Sequence, residues 1–193
     1  MELFLFSIAV IGVLLVITTV SDKRKNPDKY PTKEVRQKVE QGKHYFRAGA
    51  INMAPAANNK YSLSGDAVRA RDQWERAAAL GNVQAITGLG IVAMRDNDLA
   101  AAQARWTEAF NEGDFAAYIF RRMTADPESS KQYPSAVSEY LSAMESGEPY
   151  CLRRWSATAR QLGFSTYADE VVERATVIEY SDRLGKGPWG TTL

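Results

Sequence analysis

Residues 70–81 read ARDQWERAAALG, residues 102–113 read AQARWTEAFNEG, and residues 136–147 read AVSEYLSAMESG. Aligned on Gly81, Gly113 and Gly147, the three stretches recur at periods of 32 and 34 residues. Eleven positions before each glycine stands Ala70, Ala102 or Ala136, and seven before stands Trp74, Trp106 or Tyr140. Four before stands Ala77, Ala109 or Ala143, and four after stands Ala85, Ala117 or Cys151. Positions four and seven apart share one helix face, so alanine, ring and alanine form a single stripe. The alanines admit a neighbouring helix closely, and the ring fills the gap beside it. A turn at the glycine then reverses the chain. One such hairpin cannot bury its own apolar face, whereas stacked hairpins can.

Punctuation around the repeats extends the helical reading. Ser64, Asn82, Asp98, Asp114 and Ser165 stand where helix N-caps belong, and Gly81, Gly113, Gly147 and Gly163 where helices stop. Pro134 and Pro149 suit first helical turns. These signals predict helices over about 65–80, 82–94, 98–112, 114–124, 134–146, 149–162 and 166–184. Upstream, Thr32 caps a helix to about Ala48, with Val35, Val39 and Phe46 on one stripe, and residues 49–64 read as a loop. No alternation long enough for a convincing strand is present. The expected fold class is all-α, with antiparallel hairpins stacked as a short α-solenoid.

Over residues 65–163 the chain resembles the Sel1-like branch of the tetratricopeptide superfamily. Ala70, Ala77-Ala78, Gly81, Ala85 and Leu89-Gly90 match that family's alanine, double-alanine, glycine, alanine and Leu-Gly positions. Repeat two has Arg121 where Leu89 maps, and repeat three has Trp155. The resemblance implies a concave protein-binding surface built mainly from the first helix of each hairpin. Arg69, Gln73, Arg76, Arg105, Glu108 and Glu139 flank the stripe and would point into it. The competing reading makes them ordinary solvated helix charges.

The N-terminus is of another character. Residues 3–20, LFLFSIAVIGVLLVITTV, contain no charge and no proline. Eighteen residues rising ~1.5 Å each cover ~27 Å, close to the ~30 Å hydrocarbon core. Thirteen are Leu, Ile, Val or Phe, worth ~4–8 kcal/mol together on the insertion scale. A cleaved signal peptide is the rival reading, but it needs a positive leading region, and only Met1 and Glu2 precede the run. Residues 1–21 are therefore expected to be a single-pass transmembrane anchor. Lys23, Arg24, Lys25, Lys29, Lys33, Arg36 and Lys38 follow the span, and no Lys or Arg precedes it. The positive-inside rule then predicts a short external N-terminus and a cytoplasmic C-terminal domain. Residues 22–47 carry a net +5 and residues 48–193 a net −3. This collar sets topology, and Lys23, Arg24 and Lys25 are also placed to meet anionic lipid. Residues 22–64 are read as basic linker, helix and loop, 65–184 as repeats with a capping helix, and 185–193 as a loose tail.

Motifs for chemistry are sparse. His44, the single histidine, sits in KHYFRAG without a signature nucleophile. Cys151, the single cysteine, occupies the small-residue position shared with Ala85 and Ala117, which predicts a buried structural thiol. No CxxC or HExxH pattern suggests a metal, and no cofactor is expected. The glycines of ITGLGIVAM lack a dinucleotide-fold context, and Asp96-Asn97-Asp98 reads as a turn followed by a cap. A net-acidic globular part argues against nucleic acid. The function expected is a membrane-tethered scaffold or adaptor for another protein. The alternative is an accessory subunit packing through its transmembrane helix, although no GxxxG motif occurs. No enzymatic activity is expected.

Overall fold

In the computed structural model, residues 32–53 and 66–185 are described, and every regular element among them is a helix. In chain order these are α1 (Lys33–Met53), α2 (Ala67–Ala79), α3 (Val83–Arg95), α4 (Leu99–Asn111) and α5 (Phe115–Ala125). There follow α6 (Pro127–Ser130), α7 (Tyr133–Ser146), α8 (Pro149–Gln161) and α9 (Ser165–Gly185).

One turn, used four times, sets the hairpin geometry. After α2, Gly81 takes φ +83°, its N–H donates to Ala78 O at 2.8 Å, and the Asn82 N–H donates to Ala77 O at 3.0 Å. That is a Schellman end, which satisfies the last carbonyls of the helix. The next residue immediately starts α3, because the Asn82 side chain accepts the Ala85 N–H at 3.0 Å. The same arrangement recurs at Asn97-Asp98 and Gly113-Asp114, and Gly163-Phe164 repeats the helix end. Asn97 stands left-handed at φ +63° where the other turns use glycine. Chain reversal thus takes two residues, and sequence-adjacent helices are forced to pack.

The repeat stripe is the core. Ala70, Ala102, Ala136, Ala77, Ala109 and Ala143 are all buried, as are Trp74, Trp106 and Tyr140. The Trp74 indole donates to Phe46 O at 3.0 Å, and the Trp106 indole donates to Thr87 O at 3.2 Å. Each ring lies over glycine. A Cβ built on Gly49 or Gly88 would stand 2.4 or 2.6 Å from Trp74, and one on Gly90 2.3 Å from Trp106. Helix α3 is therefore gripped on two sides by tryptophans of consecutive repeats.

Several expectations need correction. Ser64 is outside the described residues, and Asp66 caps α2 by accepting the Arg69 N–H at 3.0 Å. Helix α1 runs to Met53, past Ala48, because Phe46, Gly49, Ala50 and Met53 form its buried face. Val39, at 47% exposure, does not belong to the core: Gly42 already meets Leu80 and Asn82 at the α2–α3 turn, and the stripe runs out of partners beyond it. Val35 is exposed as well. Ser165 is the first residue of α9, preceded by Phe164. The short α6, not anticipated, is capped by Asp126. Cys151 packs against the core but is only half-buried, its Sγ accepting the Ser142 hydroxyl at 3.6 Å.

Residues 39–193 cluster as one unit and residues 1–38 as another, of which only 32–38 are described. Among the described residues no helix is long and apolar enough to cross a membrane. The expected span at residues 3–20, the collar at Lys23, Arg24 and Lys25, and the tail beyond Gly185 lie outside them.

Candidate functional site

Helices α1, α3, α5, α7, α8 and α9 contribute to a groove made of three adjoining cavities. The largest, about 370 Å³, lies between α1 and the two turns at Gly81-Asn82 and Gly113-Asp114. A second, about 230 Å³, is bordered by Asp114, Phe115, Tyr140, Tyr167 and Val171. The third, about 160 Å³, brings Phe46 and Arg47 of α1 against Arg174 and Ile178 of α9. Gln84, in the first turn of α3, borders all three. The stacked hairpins thus curve enough to bring the first and last helices to a common opening.

At its centre lies a carboxylate held from three sides. Asp114 accepts the Ala116 N–H at 3.1 Å as the cap of α5, the Thr87 hydroxyl at 2.5 Å and the Tyr140 hydroxyl at 3.3 Å. Thr87 is fully buried, so its hydroxyl requires this partner. Burial pushes the Asp114 carboxyl above its ordinary value, and the bonds from Thr87, Ala116 and Tyr140 only partly counteract it. Burial, then the nearby Asp114 charge, holds the Tyr140 phenol well above the usual tyrosine range. The carboxylate ties three consecutive hairpins together: Thr87 belongs to the first, Asp114 to the second and Tyr140 to the third.

A folded-state value above the unfolded one means that Asp114 favours folding below the ordinary value of 3.8. That contribution is lost as pH rises through the raised value. Asp114→Asn keeps the cap through its amide oxygen, and its amide nitrogen, in place of the oxygen that accepts from Thr87 and Tyr140, donates to those hydroxyls instead, without the charge. Its melting temperature relative to the natural chain is expected to climb as pH goes from about 4 to about 7. Asp114→Ala orphans Thr87 and the cap, and is expected to lose about 1–3 kcal/mol at the acid end, a deficit that narrows as pH rises because the titrating carboxyl is gone there too. Thermal melts of the three proteins across that range check both. A pH-independent Asn offset would mean that the carboxylate is not desolvated in the fold.

The residues expected to bind a partner lie elsewhere. Arg69 pairs with Asp66 at 3.1 Å, and Arg76 with Asp72 at 3.1 Å while lying 5.9 Å over the Tyr45 ring. Gln73 donates to Asp72 at 3.1 Å, Arg105 pairs with Glu108 at 3.0 Å, and Glu139 pairs with Arg154. None of the six lines the three cavities. His44 is exposed beside Tyr45, and no group of three or more metal-ligating side chains occurs among the described residues. Asp114 was legible only as a cap and Tyr140 only as a repeat ring. Gln84, Arg47 and Arg174 carry no periodic signal, and curvature alone brings them together.

No protein-family model, curated protein or solved structure matches the chain.

Proposed function

We propose that the chain is an adaptor whose stacked hairpins bind a segment of another protein along the groove, with residues 3–20 tethering it to a membrane. The observation that carries this reading is Gln84, one side chain shared by three adjoining cavities that run from α1 to α9. A continuous furrow with apolar patches and scattered polar groups suits an extended partner segment better than a small substrate. The Sel1-like resemblance of residues 65–163 supports protein binding in general, but it implies a surface on the first helix of each hairpin, and neither α2 nor α4 lines this groove. The proposal assigns no catalysis to Asp114, whose oxygens already accept three hydrogen bonds.

Site-specific photo-crosslinking in cells tests it. A photoreactive residue at Gln84 is expected to trap a protein adduct, while the same residue at Arg69 or Arg105 traps none. Adducts at Arg69 and Arg105 alone would move the partner to the exposed faces of α2 and α4. Absence of adducts at all three positions would remove the adaptor reading.

A further inference from the structure

The smallest of the three cavities differs from its neighbours in charge. Lys43 and Arg47 of α1 and Arg174 of α9 line it, and no carboxylate does. Many other surface arginines are matched, among them Arg71 with Asp96, Arg153 with Glu179 and Arg160 with Asp169, whereas Arg121 and Arg122 of α5 stand in no ion pair among the described residues. Lys43 is matched too, 2.8 Å from Glu40, which is not part of the lining. Arg47 and Arg174 have no ion-pair or hydrogen-bond partner among the described residues. The Arg47 guanidinium lies over Gly147, 3.7 Å from where a Cβ would stand, at the C-terminal end of α7. Helix carbonyls there favour a cation, but they do not neutralise it.

Between the cations the wall is apolar, formed by Phe46, Met144, Leu152 and Ile178, with the amides of Asn82 and Gln84 beside them. A volume of about 160 Å³ is close to the ~150 Å³ of a cavity that accepts a benzene ring, so one branched or aromatic side chain fits. Further along the groove, in the cavity of about 230 Å³, which shares Arg174, carboxylates enter the lining as Asp114 and Glu170. The groove is therefore cationic at one mouth and partly anionic beyond it, a polarity that selects partners and fixes their direction.

We infer that the α1–α9 end of the groove docks an acidic segment of a partner protein, in which Asp or Glu side chains flank one large apolar residue. The apolar residue enters between Phe46, Leu152 and Ile178, and the carboxylates take Arg47 and Arg174. This rests on the adaptor reading and adds the chemistry of the ligand to it. An anionic membrane surface offers charge as well, but a planar headgroup layer supplies no side chain for the apolar wall.

Selection of a random-peptide phage library on the full chain, held in neutral phosphatidylcholine nanodiscs, tests the inference. The selected pool is expected to be enriched in Asp and Glu beside Leu, Ile or Phe. Binding of its peptides should weaken about tenfold or more in Arg47→Gln/Arg174→Gln, and should weaken with added salt. Selection on Arg47→Glu/Arg174→Glu should lose the acidic excess, with Arg69→Gln/Arg76→Gln as an unaffected control. Both arginines of the test pair are exposed, and circular dichroism and melting temperature confirm that the variants fold. A pool without acidic excess, or one whose excess survives the reversal, overturns the inference and leaves the adaptor reading standing. Displacement of the peptides by phosphatidylserine vesicles but not by phosphatidylcholine vesicles assigns the cations to a membrane, and overturns it too. An empty selection overturns both.

Discussion

Trp106→Ala is expected to lower the unfolding free energy by about 3–5 kcal/mol, a large part of the ~5–15 kcal/mol that holds a domain together. The indole is fully buried, with Phe120 and Tyr133 rings at centroid distances of 6.0 and 6.1 Å. Its N–H donates to Thr87 O, and its edge fills the notch over Gly90. Truncation removes all of these at once and leaves a void between α3 and α4. Rigid helix backbones on both sides prevent the void from closing, so the cavity cost falls at the high end of the range. Chemical denaturation of the full chain in detergent, followed by circular dichroism of the helical signal, measures the effect. Arg105→Ala, one residue away, removes only an exposed pair with Glu108 and should change stability by less than about 0.5 kcal/mol. Equal midpoints for the two variants would place Trp106 outside the core.

The contrast between these neighbouring residues shows what a sequence carries. Trp106 was legible because the alanine–ring–alanine stripe repeats three times, and burial of a stripe is a local consequence of helix period. The turns were legible for the same reason, since Gly81-Asn82 and Gly113-Asp114 each combine a left-handed residue with a cap in two positions. Helix α1 was harder. Its packing face is built around Gly42 and Gly49, and glycine has no hydrophobic signature, so Val35 and Val39 stood out as the stripe although both are exposed. The groove was not legible at all. Arg47 and Arg174 come to line one cavity through the accumulated curvature of several hairpins, and Gln84 matters only because three cavities share its position. The arginines and glutamates beside the stripe were visible, yet each proves to have a nearby ion pair.

Glycine also supplies the sharpest test of the packing, because the sign of the effect is at stake. In an exposed helix interior, replacing glycine by alanine stabilises by roughly 0.8–1 kcal/mol through propensity alone. Gly42 of α1 is buried, but the space beside it is open enough: an added Cβ would meet Leu80 and Asn82 at 3.5 and 3.6 Å, which is ordinary contact, so nothing opposes the propensity gain. Gly42→Ala is therefore expected to raise stability by about 0.5–1 kcal/mol. At Gly90 of α3 the added methyl would stand 2.3 Å from the Trp106 indole nitrogen. No backbone or ring atom tolerates that distance, so α3 and α4 must separate or the indole must leave its bond to Thr87 O. Overpacking of this kind costs about 1–3 kcal/mol, which outweighs the propensity gain and leaves Gly90→Ala destabilised. The two substitutions are chemically identical, both lie within helices, and their effects should have opposite signs. A double variant, Gly90→Ala with Trp106→Phe, should lose less than the sum of its parts, because the smaller ring vacates the space the methyl needs. Denaturation midpoints of the natural chain, the two glycine variants, Trp106→Phe and the double variant measure all of this. A stabilising Gly90→Ala would show that Trp106 does not lie against α3, and with that the interlock between consecutive repeats would be lost.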